Sequence, residues 1–267
     1  MTRAALDGVE LYYETAGTGP RLLLISGTGG DLRAPPSVFD GPLAKSFEIA
    51  AYDQRGLGQS SVPPGPYTMA DYADDAAHLL DTLAWEHALV MGISFGGMVA
   101  QELALRHPSR VRRLVLACTS SGGEGGASYP LHELVELPDD DRIARHLELA
   151  DTRYDAAWRA ANPEEWKSLA SLFRARAVIG SGEPGRAEGA AWQLDARRHH
   201  DTWERLGQIS CPTFVCGGVH DGIAPPANAE HLASAIPEAS LQLFDGGHLF
   251  LLQDRAAWPT ITAFLSA

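Results

Sequence analysis

The chain has 267 residues, 45% of them hydrophobic and 21% charged, with a formal net charge of −13. That length suits one large domain, or one domain with an insertion, and can bury a full core without disulfide or metal staples. So acidic a chain lacks the concentrated basic face that nucleic acids or anionic membranes demand. With no run of about 18 or more apolar residues, it offers no transmembrane helix.

Met1-Thr2-Arg3 opens the chain without the apolar stretch of a secretion signal. Asp7-Gly8 reads as a hairpin turn ahead of a strand over 9–14. Residues 21–25 are a continuous apolar strand that runs into the glycine-rich Ser26-Gly27-Thr28-Gly29-Gly30. A strand over 47–52 follows, then a helix over 69–83 with Ala73, Ala76, Ala77, Leu80 and Leu83 on one face and Asp71, Asp74 and Asp75 on the other. A strand over 88–93 leads into a helix over 95–106 that Pro108 stops, and a strand over 111–117 comes next. Further on lie strands over 213–217 and 241–244, a helix over 227–235 between them, and a closing helix over 258–265. Apolar strands alternating with helices predict an α/β fold: a mostly parallel sheet, its strands buried, with helices on both faces.

One stretch breaks the rhythm. From 123 to 205 there are helical and loop patterns but no strand, with breaks at Pro130, Pro138, Pro163 and Pro184. It is expected to be a helical cap inserted after the sixth strand, over a core of 1–122 and 206–267. Asp139-Asp140-Asp141 suits a helix start, where acids complement the dipole. The cap holds four of the six tryptophans. Trp158, Trp166 and Trp192 are candidates for lining an apolar substrate pocket; the alternative is that they and Trp203 are the core that holds the cap together.

Gly92-Ile93-Ser94-Phe95-Gly96 stands between a predicted strand and a predicted helix, the context that makes a Gly-x-Ser-x-Gly pentad informative. Small residues flank the serine because strand and helix approach too closely for side chains. The turn exposes the Ser94 hydroxyl as a nucleophile and aims the Phe95 N–H at the reacting centre. Serine needs a base. Of ten histidines, His248 is preferred because Asp245-Gly246-Gly247-His248 follows the last strand, at the same end of the sheet as Ser94. The orienting acid is expected to be Asp221, just past a strand end, with Glu124 as its rival. The order Ser94, Asp221, His248 suits this architecture. Thr28, among glycines that let the backbone approach, is expected to supply the second oxyanion N–H.

These segments resemble the α/β-hydrolase fold family over nearly the whole chain outside the insertion. Asp53-Gln54-Arg55-Gly56-Leu57-Gly58-Gln59-Ser60 is similar to the family's Asp-x-Arg-Gly-x-Gly-x-Ser turn, which implies that Asp53 and Arg55 are a fold-fixing pair. Where many members carry His-Gly, this chain has Ser26-Gly27. Among members it resembles 3-oxoadipate enol-lactonases and small serine carboxylesterases. The expected activity is hydrolysis of a small ester or lactone through an acyl-enzyme, with no metal or organic cofactor. Cleavage of carbon–carbon bonds in ring-cleavage products, or sensing of a small molecule by a receptor that keeps the triad, are the alternatives. Enol-lactonases act on an anion and would need a cation near the pocket. Arg197 and Arg198 could supply it, though a solvated helix face explains them equally well. Cys118, Cys211 and Cys216 lie in or beside buried strands and suit small hydrophobic thiols in a reduced, cytoplasmic protein. His199-His200 lacks partners at metal-ligand spacing.

Overall fold

The computed structural model of the protein describes residues 2–6 and 8–267. Its strands are β1 (Thr2–Leu6), β2 (Val9–Ala16), β3 (Arg21–Ile25), β4 (Glu48–Tyr52), β5 (Ala88–Ile93), β6 (Val111–Ala117), β7 (Thr213–Gly218) and β8 (Ser240–Phe244). They form one sheet in the order β1-β2-β4-β3-β5-β6-β7-β8. β2 pairs antiparallel with β1 and β4, and every later pairing is parallel. Of the expected hairpin turn, Gly8 adopts φ +75°, while Asp7 lies outside the described residues.

Parallel strands need crossovers, and the helices supply them on both faces. Alternate strand residues point to opposite faces, so Leu23, Ile25, Val90 and Leu116 pack beneath α1 (Met69–Thr82), α2 (Phe95–Arg106) and α7 (Pro226–Ala235). Leu22, Leu24, Met91 and Val115 face the other way, against α8 (Phe250–Gln253) and α9 (Ala257–Ser266). Thr68 caps α1 in a reciprocal box with Asp71, which explains why the helix starts there. The last strand differs from expectation: β8 is an edge, and Ser240, Leu241 and Gln242 are exposed rather than buried.

Between β6 and β7 the chain holds α3 (Asp139–Ala150), α4 (Ala156–Ala161), α5 (Pro163–Ala177) and α6 (Arg186–Arg198), and no strand. Two of the four prolines begin helices rather than merely interrupting them: Pro138 is the N-cap of α3 and Pro163 the first residue of α5. The three acids occupy the first turn of α3. Ile143, Leu147 and Ala170 join α3 to α5 in a small cluster, and Leu131, Leu134 and Leu149 pack on Ile223 of the β7 loop.

The Asp-x-Arg-Gly turn is built as two anchors rather than one pair. The buried Asp53 carboxylate accepts from the Leu32 and Gln59 N–H groups, both at 2.7 Å. Arg55 instead forks onto Asp75 of α1, with Nε and Nη2 each at 2.7 Å. Removing one partner of a buried pair strands the other charge, whereas replacing both with apolar groups does not. Arg55→Met is therefore expected to cost about 3–5 kcal/mol in urea unfolding. Arg55→Met with Asp75→Leu should recover most of that loss, and a double variant as unstable as the single one would contradict the argument.

Candidate active site

Ser94 sits at φ 55°, ψ −117°, between β5 and α2. A non-glycine residue with positive φ is strained, and here the surroundings leave no alternative. A methyl group on Gly92 would strike the Gly96 carbonyl, and one on Gly96 would strike the carbonyl of Ile25 in β3. The chain therefore turns within one residue, and the Ser94 carbonyl is held by the Thr119 hydroxyl, 2.7 Å away.

Asp221 and His248, the expected acid and base, stand on the two loops that follow β7 and β8. His248 Nε2 lies 2.9 Å from Ser94 Oγ, and His248 Nδ1 lies 2.7 Å from Asp221 Oδ2. Asp221 is buried, and its other oxygen accepts from the Ile223 and Ala224 N–H groups at 2.8 Å each. A carboxylate held on both oxygens can fix the orientation of the imidazole. Glu124, the rival acid, lies in a short 3-10 turn, Gly123–Gly125, and the hydrogen bond to His248 is made by Asp221. Cys118 Sγ also lies within 4.8 Å of these groups. Burial pushes its thiol well above the ordinary range, so it stays an inert neutral neighbour.

The loop after β3 faces Ser94. A methyl on Gly27 would come within 3.9 Å of Ser94 Oγ. Neither the Thr28 nor the Phe95 N–H donates to a backbone carbonyl among the described residues, and Thr28 Oγ1 is buried without a partner. Unused donors beside a nucleophile are what a developing oxyanion requires. The loop is held from behind: Gln54 Nε2 donates to the Ser26 carbonyl at 2.7 Å, and Gln193 Oε1 of α6 accepts from the Gly29 N–H at 2.8 Å.

The inserted segment also grips both catalytic-side loops. The Gly222 N–H donates to Leu149 O (2.9 Å), the His248 N–H to Ala150 O (2.6 Å), and the Thr152 N–H to His220 O (2.9 Å). Asp151, buried in this seam, accepts from Arg153 and Gln253. Gln193 and Asp151 carry no signature in the sequence, because each acts on a segment distant along the chain.

The tryptophans do not gather on one pocket. Trp192 packs on Tyr67, ring centroids 5.0 Å apart, and joins the main core. Trp166 joins the α3–α5 cluster, and Trp158 lies tilted against Tyr154, ring centroids 4.5 Å apart. Trp203 packs by His231. Arg197 differs more sharply from a solvated helix face: it is buried, 6% exposed, beside buried His200.

The chain belongs to the α/β-hydrolase fold family, a family of enzymes whose sequence pattern matches residues 20–254. Among its relatives is a poly(3-hydroxyalkanoate) depolymerase of Ectopseudomonas oleovorans, 32% identical over 247 residues, covering 91% of this chain and 83% of the relative. A 2-hydroxymuconate semialdehyde hydrolase of Pseudomonas sp. is 30% identical over 275 residues, covering 95% and 89%. The crystal structure of the enol-lactonase from Burkholderia xenovorans LB400 superposes with a TM-score of 0.80 at 27% identity, covering all of both chains. No described helix is long and apolar enough to cross a membrane.

Burial lowers the His200 pKa from 6.5 to about 4. The unfolded chain therefore takes up this proton first as pH falls. The stability that neutral His200 contributes is complete above pH 6.5 and is lost progressively toward pH 4. His200→Gln is expected to reduce the fall in unfolding free energy between those pH values by about 3 kcal/mol. An unchanged fall, measured by urea titration at several pH values, would refute this.

Proposed function

We propose that this protein hydrolyses a small carboxylic ester or lactone through an acyl-enzyme, with Ser94 as nucleophile, His248 as general base and acid, and Asp221 as orienting acid. The observation that carries the proposal is the unbroken hydrogen-bonded line from Asp221 through His248 to Ser94. His248 Nε2 takes the Ser94 proton as Oγ attacks the carbonyl. The N–H groups of Phe95 and Thr28 hold the oxyanion. His248 then returns the proton to the leaving oxygen, and activates the water that releases the acid. The sequence of steps calls on no metal or organic cofactor.

Residues 123–205 serve in this reading as a cap over a core of 1–122 and 206–267. The hydrogen bonds that Leu149, Ala150 and Gln193 accept from the loops of the site, and that Thr152 donates to one of them, support it. A small-molecule substrate and a cytoplasmic location belong to the same reading, the latter supported by three free cysteines. The relatedness to a 2-hydroxymuconate semialdehyde hydrolase favours one second reading, in which the same serine cleaves a carbon–carbon bond.

Wild type and Ser94→Ala assayed in parallel on esters, lactones and ring-cleavage products separate these. Ser94→Ala is expected to lower turnover by about 10⁴-fold or more. Mass spectrometry of quenched wild type should find the acyl group on Ser94. Full esterase activity in the variant would end the proposal. Turnover of ring-cleavage products alone would favour the second reading.

A further inference from the structure

His248 follows Gly246 and Gly247, and glycine, with no Cβ, leaves the chain wide freedom to turn. Whatever holds the two peptide groups on either side of the Gly247 Cα therefore decides where the imidazole points. The carbonyls of these peptides accept from the His220 N–H (2.8 Å) and the Phe250 N–H (3.1 Å). Their N–H groups reach further. That of His248 donates to the Ala150 carbonyl at 2.6 Å, and that of Gly247 donates to Oε1 of Gln253 at 2.8 Å. Only the last of these bonds is made by a side chain. The packing is also close: a methyl group on Gly247 would strike the Ala150 carbonyl and the Asp151 Cα.

Gln253 is an exposed residue at the end of α8. Both ends of its amide are engaged, because Nε2 donates to Asp151 Oδ2 at 2.8 Å. A backbone N–H can only donate and an ionised carboxylate can only accept. The amide therefore fits in one orientation, and at neutral pH no other side chain of its length offers both halves.

Asp151 anchors the far end. It is 1% exposed; Oδ1 accepts from the Arg153 N–H and Nε, and Oδ2 accepts from Arg153 Nη2 as well as from Gln253. Burial opposes its charge, but these bonds prevail and hold its carboxyl below the ordinary range, so an ionised group receives the Gln253 amide. Ala150 and Asp151, successive residues of the inserted segment, thus hold successive N–H groups of the histidine loop, one directly and one through Gln253.

We propose that Gln253 is a positioning residue: together with Asp151 it fixes the backbone at Gly247 and so keeps His248 aligned between Ser94 and Asp221. Its hydrogen bonds end on Gly247 and Asp151, so it acts on turnover through His248. A misplacement of about 1 Å at a catalytic group can cost about a hundredfold in rate. The proposal rests on the serine-hydrolase reading above and adds to it a residue on the surface.

The test uses 4-nitrophenyl butyrate, with thermal unfolding followed for every variant. Gln253→Leu keeps much of the side chain's bulk and removes both bonds. It is expected to lower kcat by about tenfold to a hundredfold, leave KM within about threefold, and move the unfolding midpoint by no more than about 4 °C. Inactivation of Ser94 by diethyl 4-nitrophenyl phosphate should slow by the same factor as kcat, since it too needs His248 to take the serine proton. A pair of further variants separates positioning from lost packing. Gln253→Glu sets carboxylate against carboxylate, Asp151→Asn sets amide against amide, and each alone should lower kcat. Combined, the amide at 151 donates to the carboxylate at 253, which still accepts from Gly247, and kcat should return to within about threefold of wild type. Wild-type kcat in Gln253→Leu, a rise in KM alone, or a double variant no faster than the slower single one would overturn the positioning role and leave the hydrolase reading intact. If Ser94→Ala matches wild type on this ester, the hydrolase reading fails and the positioning role with it.

Discussion

The chemistry of this protein depends on how closely three stretches of backbone approach at Ser94. β3, β5 and the first turn of α2 meet where Gly92 and Gly96 leave no room for a side chain. The chain is thereby forced through a single residue at positive φ. That strain is tolerated because the parallel pairings of β5 with β3 and β6 hold the strand on both sides, and the Ser94 N–H remains bonded to Ala117 at 2.8 Å. The same crowding turns the serine hydroxyl toward His248 and leaves the Phe95 N–H without a backbone acceptor at the start of a helix. One steric constraint therefore sets both the direction of the hydroxyl and one of the donors beside it.

The other parts are brought to that point by pairing across the sheet rather than by proximity in sequence. β7 and β8 lie beside β6, so the loops at their ends deliver Asp221 and His248 to the same rim as Ser94. The inserted helices then lock the rim. Leu149, Ala150 and Thr152 bond to the loops of Asp221 and His248, while Gln193 holds the loop of Thr28. The inserted segment is thereby bound to the loops of the site itself. Arg197, five residues beyond the midpoint of α6, is carried inward by that same docking and loses its solvent.

Much of this was legible in the residues. The strand–helix alternation, the pentad at Ser94, and the placing of Asp221 and His248 just after strands are local patterns, and local steric rules act on them wherever they occur. The strand-free stretch announced the inserted helices for the same reason. The Arg55 partner was not legible, because Asp75 lies on a helix whose packing angle brings it there. Nor was the exposure of β8, since an edge strand can be as apolar in sequence as a central one. The tryptophans look alike in sequence yet join separate packing groups, because each helix of the insertion turns a different face inward.

The chain order and spacing of its residues determined the class of fold, the strained serine and the set of groups able to meet it, since hydrophobic periodicity and glycine at tight turns act over a few residues. Which groups do meet, and which charges lie buried without a partner, was settled by long-range packing. Arg197 illustrates the difference. An arginine at the end of a helix is solvated or desolvated according to what stands opposite it. What stands opposite is Ser128 and Tyr129, some 70 residues away along the chain, and no local pattern encodes that encounter.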